Sequence, residues 1–415
     1  MTRTSDPSRP KLLMVTHRVP YPPDKGDRIR TWHTLRQAAR QFDVSLACLA
    51  DEPLHIDAWR ALRDQTERVA IEPVGGVSHR AHMLGHCVAR RSFSEGAFYS
   101  PRLLQTIRQW HEDEPFDAAL GVCSSMARYV ADLDGPYKVL DLIDVDSRKW
   151  SDYADTTANP VLRRVYRLEA GRVAQCERWI SERFDAVSVV TDSEAELLSQ
   201  MAPQARIVVA NNGVDLDYFR SIPQTDKPTA TFVGALDYRP NVDGVVWLAR
   251  KVWPELRRRV PRARLRIVGR RPAADVAGLA ELPGVDVVRD VPDIRPHLAE
   301  AGVAVAPLHI ARGIQNKVLE AMATARATVV TPAAAEGIAA RPGRDYVLAR
   351  SDRQWIDELE RLLVNPAVRW PIGHAAREFV ERHHDWRSCL TPLMQKLRAP
   401  RADAETMAIP RRRAA

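Results

Sequence analysis

The stretch from Ala311 to Gly337 reads ARGIQNKVLEAMATARATVVTPAAAEG. It follows the apolar, strand-like run Val303-Ala-Val-Ala-Pro-Leu308. A short loop with Gly313 comes next, then a helix carrying Lys317 and Glu320, then a second strand at Thr328-Val-Val-Thr331. Strand, glycine turn and helix start together make an anion site, because the first N–H groups of a helix have no partners within it. Lys317 and Glu320 lie three residues apart and project from neighbouring positions on one helical face. A cation near the helix start and a carboxylate one turn later suit a phosphate followed by a ribose with vicinal hydroxyls. The same spacing also fits an ordinary surface Lys–Glu pair.

Outward from this stretch, apolar strands alternate with amphipathic helices in both directions. Before it, the strand pattern falls at Thr231–Gly234, Leu265–Gly269 and Val285–Val288. Nearer the N-terminus it falls at Leu12–Thr16, Val44–Ala50, Val69–Ile71, Ala118–Val122, Val139–Ile143 and Ala186–Thr191, with a helix expected over residues 28–41. Such alternation indicates βαβ units and parallel sheets covered on both faces. It breaks near Asn211-Asn-Gly-Val-Asp215 and the polar stretch 221–228, then restarts. The expected fold is therefore α/β, with two doubly wound, Rossmann-like domains facing a central cleft. The limits read as a flexible N-terminus over 1–10, a first domain over 11–215 and a linker over 216–228. A second domain follows over 229–370, closing helices over 371–396 and a basic disordered tail over 397–415.

With 415 residues, 45% hydrophobic and 27% charged, the chain has room for two ordinary cores. Its net charge of +8 is spread along the chain, favouring anionic partners such as phosphorylated metabolites or an acidic membrane surface. No zinc spacing, RNA-binding signature or basic arm with interleaved aromatics points to nucleic acid. The five cysteines are scattered and form no C-x-x-C pair, against a disulfide framework or a structural zinc site. A polar N-terminus without an apolar signal core, and the lack of any long apolar run, lead us to expect a cytoplasmic protein.

With these pieces in order, the chain resembles the retaining glycosyltransferases of family 4, which have the two-domain GT-B architecture. The resemblance rests on Pro22-Pro-Asp-Lys-Gly-Asp27, on Asn212-Gly-Val-Asp215 followed by Phe219, and on Phe232-Val-Gly234 and Ile267-Val-Gly269. It continues through Gly313-x-x-x-Lys317-x-x-Glu320-Ala-Met-Ala323 and Glu336-Gly337 to Asp385-Trp386, which resembles the terminal helix that crosses back to the first domain. YPPDKGDRIR, DVDSRKW and RGIQNK are most similar to sugar transferases of exosortase-linked exopolysaccharide clusters.

The resemblance implies a nucleotide diphosphate sugar as donor, held without a metal or other cofactor, and transfer with retention to a glycan or lipid-linked acceptor. It implies that Gly313, Ile314, Gln315 and Asn316 face the diphosphate, with Gly234 at the neighbouring strand end. Lys317 would neutralise the β-phosphate as the anomeric bond breaks, and Glu320 would accept from the ribose hydroxyls. Many members of the family carry a Glu-x7-Glu pair, but this chain has Arg312 where the first glutamate stands; Arg312 and Arg239 are cations that could serve the leaving phosphate or face solvent. Gly26, with Asp24, Lys25 and Arg28, is expected beside the donor phosphates, or in a plain loop-to-helix turn capped by Asp27. Asp144 and Asp146 follow a strand end where acceptor hydroxyls could be held, although Asp146 could instead cap a helix. The strand ending in Val122-Cys-Ser-Ser125 lacks the histidine that the family often has there; His17 stands at another strand end and fits a buried structural role as well. The stretches His79–Arg91 and Val161–Arg183 put arginines near apolar residues, suited to anionic lipid headgroups at the inner face of a membrane or to solvated helix faces. The rival readings are a non-catalytic nucleotide-sugar-binding subunit of a polysaccharide machine and a GT-B epimerase.

Overall fold

The computed structural model describes residues 9–75, 85, 91–311 and 313–398. The chain divides into two compact units, one comprising the residues up to Ala210 together with those from Leu390 onward, the other Asn211–Cys389.

The first unit is built on a seven-stranded sheet. Its strands are β1 (Lys11–Thr16), β2 (Asp43–Ala50), β3 (Arg68–Pro73), β4 (Ala118–Val122), β5 (Tyr137–Ile143), β6 (Ala186–Val189) and β7 (Ile207–Val209). Their order is β3-β2-β1-β4-β5-β6-β7, and each neighbouring pair is parallel. Leu12, Leu13, Met14 and Val15 are all fully buried, as a central strand with helices on both faces requires. The helix expected over 28–41 runs from Gly26 to Ala38. Of the arginine-bearing stretch His79–Arg91, all but residues 85 and 91 lie outside the described residues, as do residues 1–8 and the tail from Ala399.

The second unit repeats the plan with β8 (Thr229–Val233), β9 (Arg264–Gly269), β10 (Val285–Arg289), β11 (Val303–Ala306), β12 (Thr328–Val330) and β13 (Val347–Leu348). The order is β10-β9-β8-β11-β12-β13, again parallel throughout. Both units are therefore Rossmann-like. The stretch 221–228 has no helix or strand, yet it is fastened to this unit. The buried guanidinium of Arg326 donates to Pro223 O at 2.7 Å and to Gln224 Oε1 at 3.0 Å, and that of Arg369 donates to Thr225 O. Two arginines that composition alone counts as surface charge thus satisfy carbonyls of a segment without regular secondary structure.

Each strand order reverses between two neighbours that are not consecutive, β1 beside β4 in one unit and β8 beside β11 in the other. In doubly wound sheets the loops leaving the carboxyl ends of such neighbours splay to opposite faces and leave a crevice.

Candidate functional site

In the second unit the two loops at this reversal are the ones leaving Val233 and Ala306, and they carry Gly234 and Gly313. Close backbone contacts fix both. A Cβ on Gly269 would lie 1.8 Å from the Gly234 carbonyl oxygen, and one on Gly244 would lie 2.4 Å from that of Pro307. Neither neighbour is a flexible side chain, so only glycine lets β9 and the helix Arg239–Trp247 approach these loops so closely. Gly313 is buried with φ at +57°, a left-handed turn into the helix Asn316–Ala323.

That helix buries Val318, Leu319, Ala321, Met322 and Ala323 and leaves Asn316, Lys317 and Glu320 partly accessible. Gln315 is its N-cap, in extended conformation and with no side-chain cap. The ladder starts with Val318 N donating to Gln315 O at 2.9 Å, so the N–H groups of Asn316 and Lys317 precede it and point out of the helix start. The Lys317 ammonium donates to Gln315 Oε1 at 3.3 Å. Among the described residues neither Lys317 nor Glu320 forms an ion pair, with each other or with a third group. Burial dominates both: it lowers Lys317 to about 8 and raises Glu320 to about 7, and the partner's charge only partly offsets it. A half-buried cation and carboxylate that have no ion-pair partner of their own are set for a ligand that brings an anion and hydroxyl groups.

The Asn-Gly-Val-Asp motif braces this helix from behind. Asn212 Nδ2 donates to Asn316 Oδ1 at 3.2 Å, and the Asn212 carbonyl oxygen lies 2.8 Å from His384 Nδ1. Gly213 is required because a Cβ there would sit 2.7 Å from the Trp386 backbone nitrogen. Phe219 is buried in the core of the unit. Ile314 is as well, so its side chain serves packing and only its backbone faces the loop. Arg239 is exposed at the first position of its helix and pairs with Asp243 at 3.5 Å. Arg312 lies outside the described residues.

Sequence reasoning missed a neighbouring cluster. The Arg295 guanidinium stacks 3.9 Å from the Tyr218 ring centre, and Asp293 binds both, at 2.7 Å to Arg295 and 3.3 Å to the Tyr218 hydroxyl. Burial, then Asp293, raises the Tyr218 phenol, and the Glu320 charge contributes to the same shift. Tyr218 directly precedes the motif phenylalanine, the one local signal that could have flagged it.

In the first unit the reversal lies at the ends of β1 and β4. Gly26 opens the helix Gly26–Ala38, with Lys25 as N-cap and no side-chain cap. The alternative of a plain turn capped by Asp27 is not what forms. Asp27 is the second helical residue, and its carboxylate turns back to His17 Nε2 at 3.0 Å and Arg18 at 2.6 Å. Burial opposes its ionisation, but His17 and Arg18 together hold it well below the usual carboxylate range. His17 is buried, edge-on to Phe98 at 5.3 Å, in keeping with its structural reading. Arg28 is buried among Asp24 at 3.3 Å, Asp51 at 3.1 Å and Glu52 at 3.6 Å, and Lys25 reaches Glu52 at 3.5 Å. Asp24, Lys25 and Arg28 are thus brought together, but within one ionic network of the protein's own.

Beside them, Cys123 and Ile143 end β4 and β5 with φ at +73° and +69°. Left-handed backbone at a cysteine and a β-branched isoleucine is strained, and it falls at two adjacent strand ends. Asp144 follows; burial, then Glu194 and Asp146, raises its carboxyl to about 7, and its Oδ1 has no hydrogen-bond partner. Asp146 is not a cap either. It is the first residue of the helix Asp146–Thr156 after the N-cap Val145. Buried N–H groups at the helix start are taken by carboxylates from elsewhere, Glu194 on Val145 N at 2.6 Å and Glu177 on Ser147 N at 3.1 Å. Burial also raises Glu177 to about 7.

Comparison with known proteins bears on this geometry. Residues 227–365 match the family model for glycosyl transferases group 1, a segment inside the second unit that includes the Gly234 and Gly313 loops and the Lys317 helix. No curated protein matches the chain. Among solved structures, a sucrose-phosphate synthase from Thermosynechococcus elongatus is similar with a TM-score of 0.71 and 15% identity, over 96% of this chain and 100% of that one. Alr3699/HepE of Anabaena, solved with UDP and glucose, has a TM-score of 0.66 and 11% identity over 94% and 99% of the two chains. WaaG, a glycosyltransferase involved in lipopolysaccharide biosynthesis, has a TM-score of 0.64 and 17% identity over 93% and 98%. These likenesses show the fold: two Rossmann-like domains of the GT-B type.

Proposed function

We propose that this protein is a glycosyltransferase that takes its sugar from a nucleotide diphosphate sugar bound on the second unit. The observation that carries the reading is the Lys317–Glu320 pair, half-buried and, among the described residues, without an ion-pair partner at an uncapped helix start, on the segment that matches the glycosyl transferases group 1 model. The diphosphate lies against the backbone of Gly313, Ile314, Gln315 and Asn316, and Lys317 takes up the charge released to the leaving phosphate. Glu320 accepts from the ribose. This assigns the phosphate charge to protein groups rather than to a metal. Arg239 and Arg312 are further cations for the same charge. The likeness to a structure holding UDP and glucose supports a nucleotide-sugar donor.

On the first unit, Asp144 and Asp146 at the strained end of β5 hold the hydroxyls of a glycan acceptor, which we take to be lipid-linked and part of a cell-surface or exopolysaccharide. Transfer proceeds with retention, the departing phosphate helping to take the acceptor proton. The test is a thermal-shift panel of nucleotide diphosphates and their sugars, run beside Glu320→Ala. A ligand at about 100 times its dissociation constant stabilises by about 2.7 kcal/mol. The expected result is stabilisation by one base, lost in the variant, with sugar release or transfer in a following turnover assay. Binding without any turnover would favour a nucleotide-sugar-binding subunit; no shift with any nucleotide would refute the reading.

A further inference from the structure

The helix Pro160–Arg183 of the first unit carries an apolar face that the core leaves uncovered. Val161, Leu162, Val165 and Leu168 are 69%, 42%, 41% and 52% exposed. Nine large apolar side chains are exposed among the described residues, so four of them share two turns of one helix. Val161, Val165 and Leu168 recur at i, i+4 and i+7, the spacing of one helical face, with Leu162 beside them. The same turns hold Arg163, Arg164 and Arg167, all exposed, with no acidic residue on the helix itself until the buried Glu169; Asp155 of the neighbouring helix lies 3.7 Å from Arg167 and leaves Arg163 and Arg164 in excess. The helix is capped at its first turn: Asn159 Oδ1 accepts from Val161 N at 2.9 Å and Leu162 N at 3.2 Å, and Pro160 opens the helix. Trp150, Tyr153 and Tyr166 form an aromatic cluster, with ring centres 5.7 to 6.0 Å apart, that ties this helix to its neighbour Asp146–Thr156.

We infer that this helix start is a docking surface for an anionic lipid bilayer, with the four aliphatic side chains entering the acyl boundary and the arginines on the headgroups. Charge complementarity selects the occupant. A second copy of the chain would bring the same arginines face to face, whereas a leaflet rich in anionic lipid gains from each of them, roughly fivefold in binding per residue. Among the described residues no helix is long and apolar enough to cross a membrane, so the contact is peripheral. Nothing in the inference depends on the donor site, which lies on the other unit.

The experiment is sedimentation of the full chain with vesicles of phosphatidylcholine, alone or mixed with phosphatidylglycerol. The variants are Val165→Asp/Leu168→Asp and Arg164→Gln/Arg167→Gln. Circular dichroism melting and nucleotide binding serve as controls, both expected at wild-type values because all four side chains are exposed. The expected result is binding to the mixed vesicles only, reduced more than about tenfold by the aspartates and at least about tenfold by the glutamines, and weakened by salt. Equal binding to neutral and mixed vesicles, or binding that ignores both variants, would overturn the inference. So would absent vesicle binding together with a wild-type dimer that the aspartates dissociate, which would assign the face to copy–copy contact.

Discussion

Lys317→Met separates what the buried ammonium costs the fold from what it contributes to the site. Burial brings Lys317 from 10.5 to about 8, so the folded chain holds the proton less tightly than the unfolded one. The cost is therefore present in full at neutral pH and disappears only above the unfolded value. At about 1.4 kcal/mol per tenfold change in a proton equilibrium it is at most about 3 kcal/mol, and partial exposure reduces it to about 1–2 kcal/mol. Methionine has a similar reach and no charge, so the variant should melt no lower than the parent and up to a few degrees higher. Its affinity for the nucleotide diphosphate should move the other way. A hydrogen bond to a charged group is worth about 1.5–3 kcal/mol, which corresponds to a loss of roughly 10- to 150-fold in calorimetric titration. Unchanged affinity would remove Lys317 from the phosphate site. A fall in melting temperature together with weaker binding would mean that the lysine is structural.

The same pair sets a pH window for donor binding. Glu320 is protonated below about 7 and then offers a donor where the ribose needs an acceptor; Lys317 loses its charge above about 8. Affinity should therefore peak between those values, Glu320→Gln should flatten the acid limb, and titration at a series of pH values that showed no peak would contradict the assignment. In the first unit, Arg30 and Asp141 form a fully buried bidentate pair at 2.7 and 2.9 Å, with Arg30 also donating to Ala210 O at 2.8 Å. Asp141→Leu leaves that guanidinium buried without its counter-charge and should cost about 3–5 kcal/mol. Scanning calorimetry should show a drop of roughly 10 °C for the unfolding of this unit, while nucleotide stabilisation of the second unit persists.

The strands were legible wherever burial on both faces writes a continuous apolar run, as in Leu12–Val15 or Val303–Ala306. β7 and β13 were not, because edge strands of three and two residues have too few side chains to show any period. The helix caps that Asp27 and Asp146 offered as alternatives do not form: Asp27 turns to His17 and Arg18, and Glu194 and Glu177 take the start of the Asp146 helix, since a capping preference is a local bias that a buried ion pair or a distant glutamate overrides.

The donor-side loop was readable for a related reason. Gly313, Lys317 and Glu320 lie within eight residues on one turn and one helix, so chain geometry alone fixes their relation, and the sequence by itself determined that the second unit sets a glycine turn and a Lys–Glu helix start on a doubly wound sheet. Only the tertiary structure decided how each charged group is used. Arg28 is enclosed by Asp24, Asp51 and Glu52; Arg30 is spent on Asp141, 111 residues away; and Glu177 and Glu194 cap a helix that starts 30 to 50 residues earlier. A side chain's charge is written in its own codon, but its partner and its exposure come from strands and helices that meet only on folding.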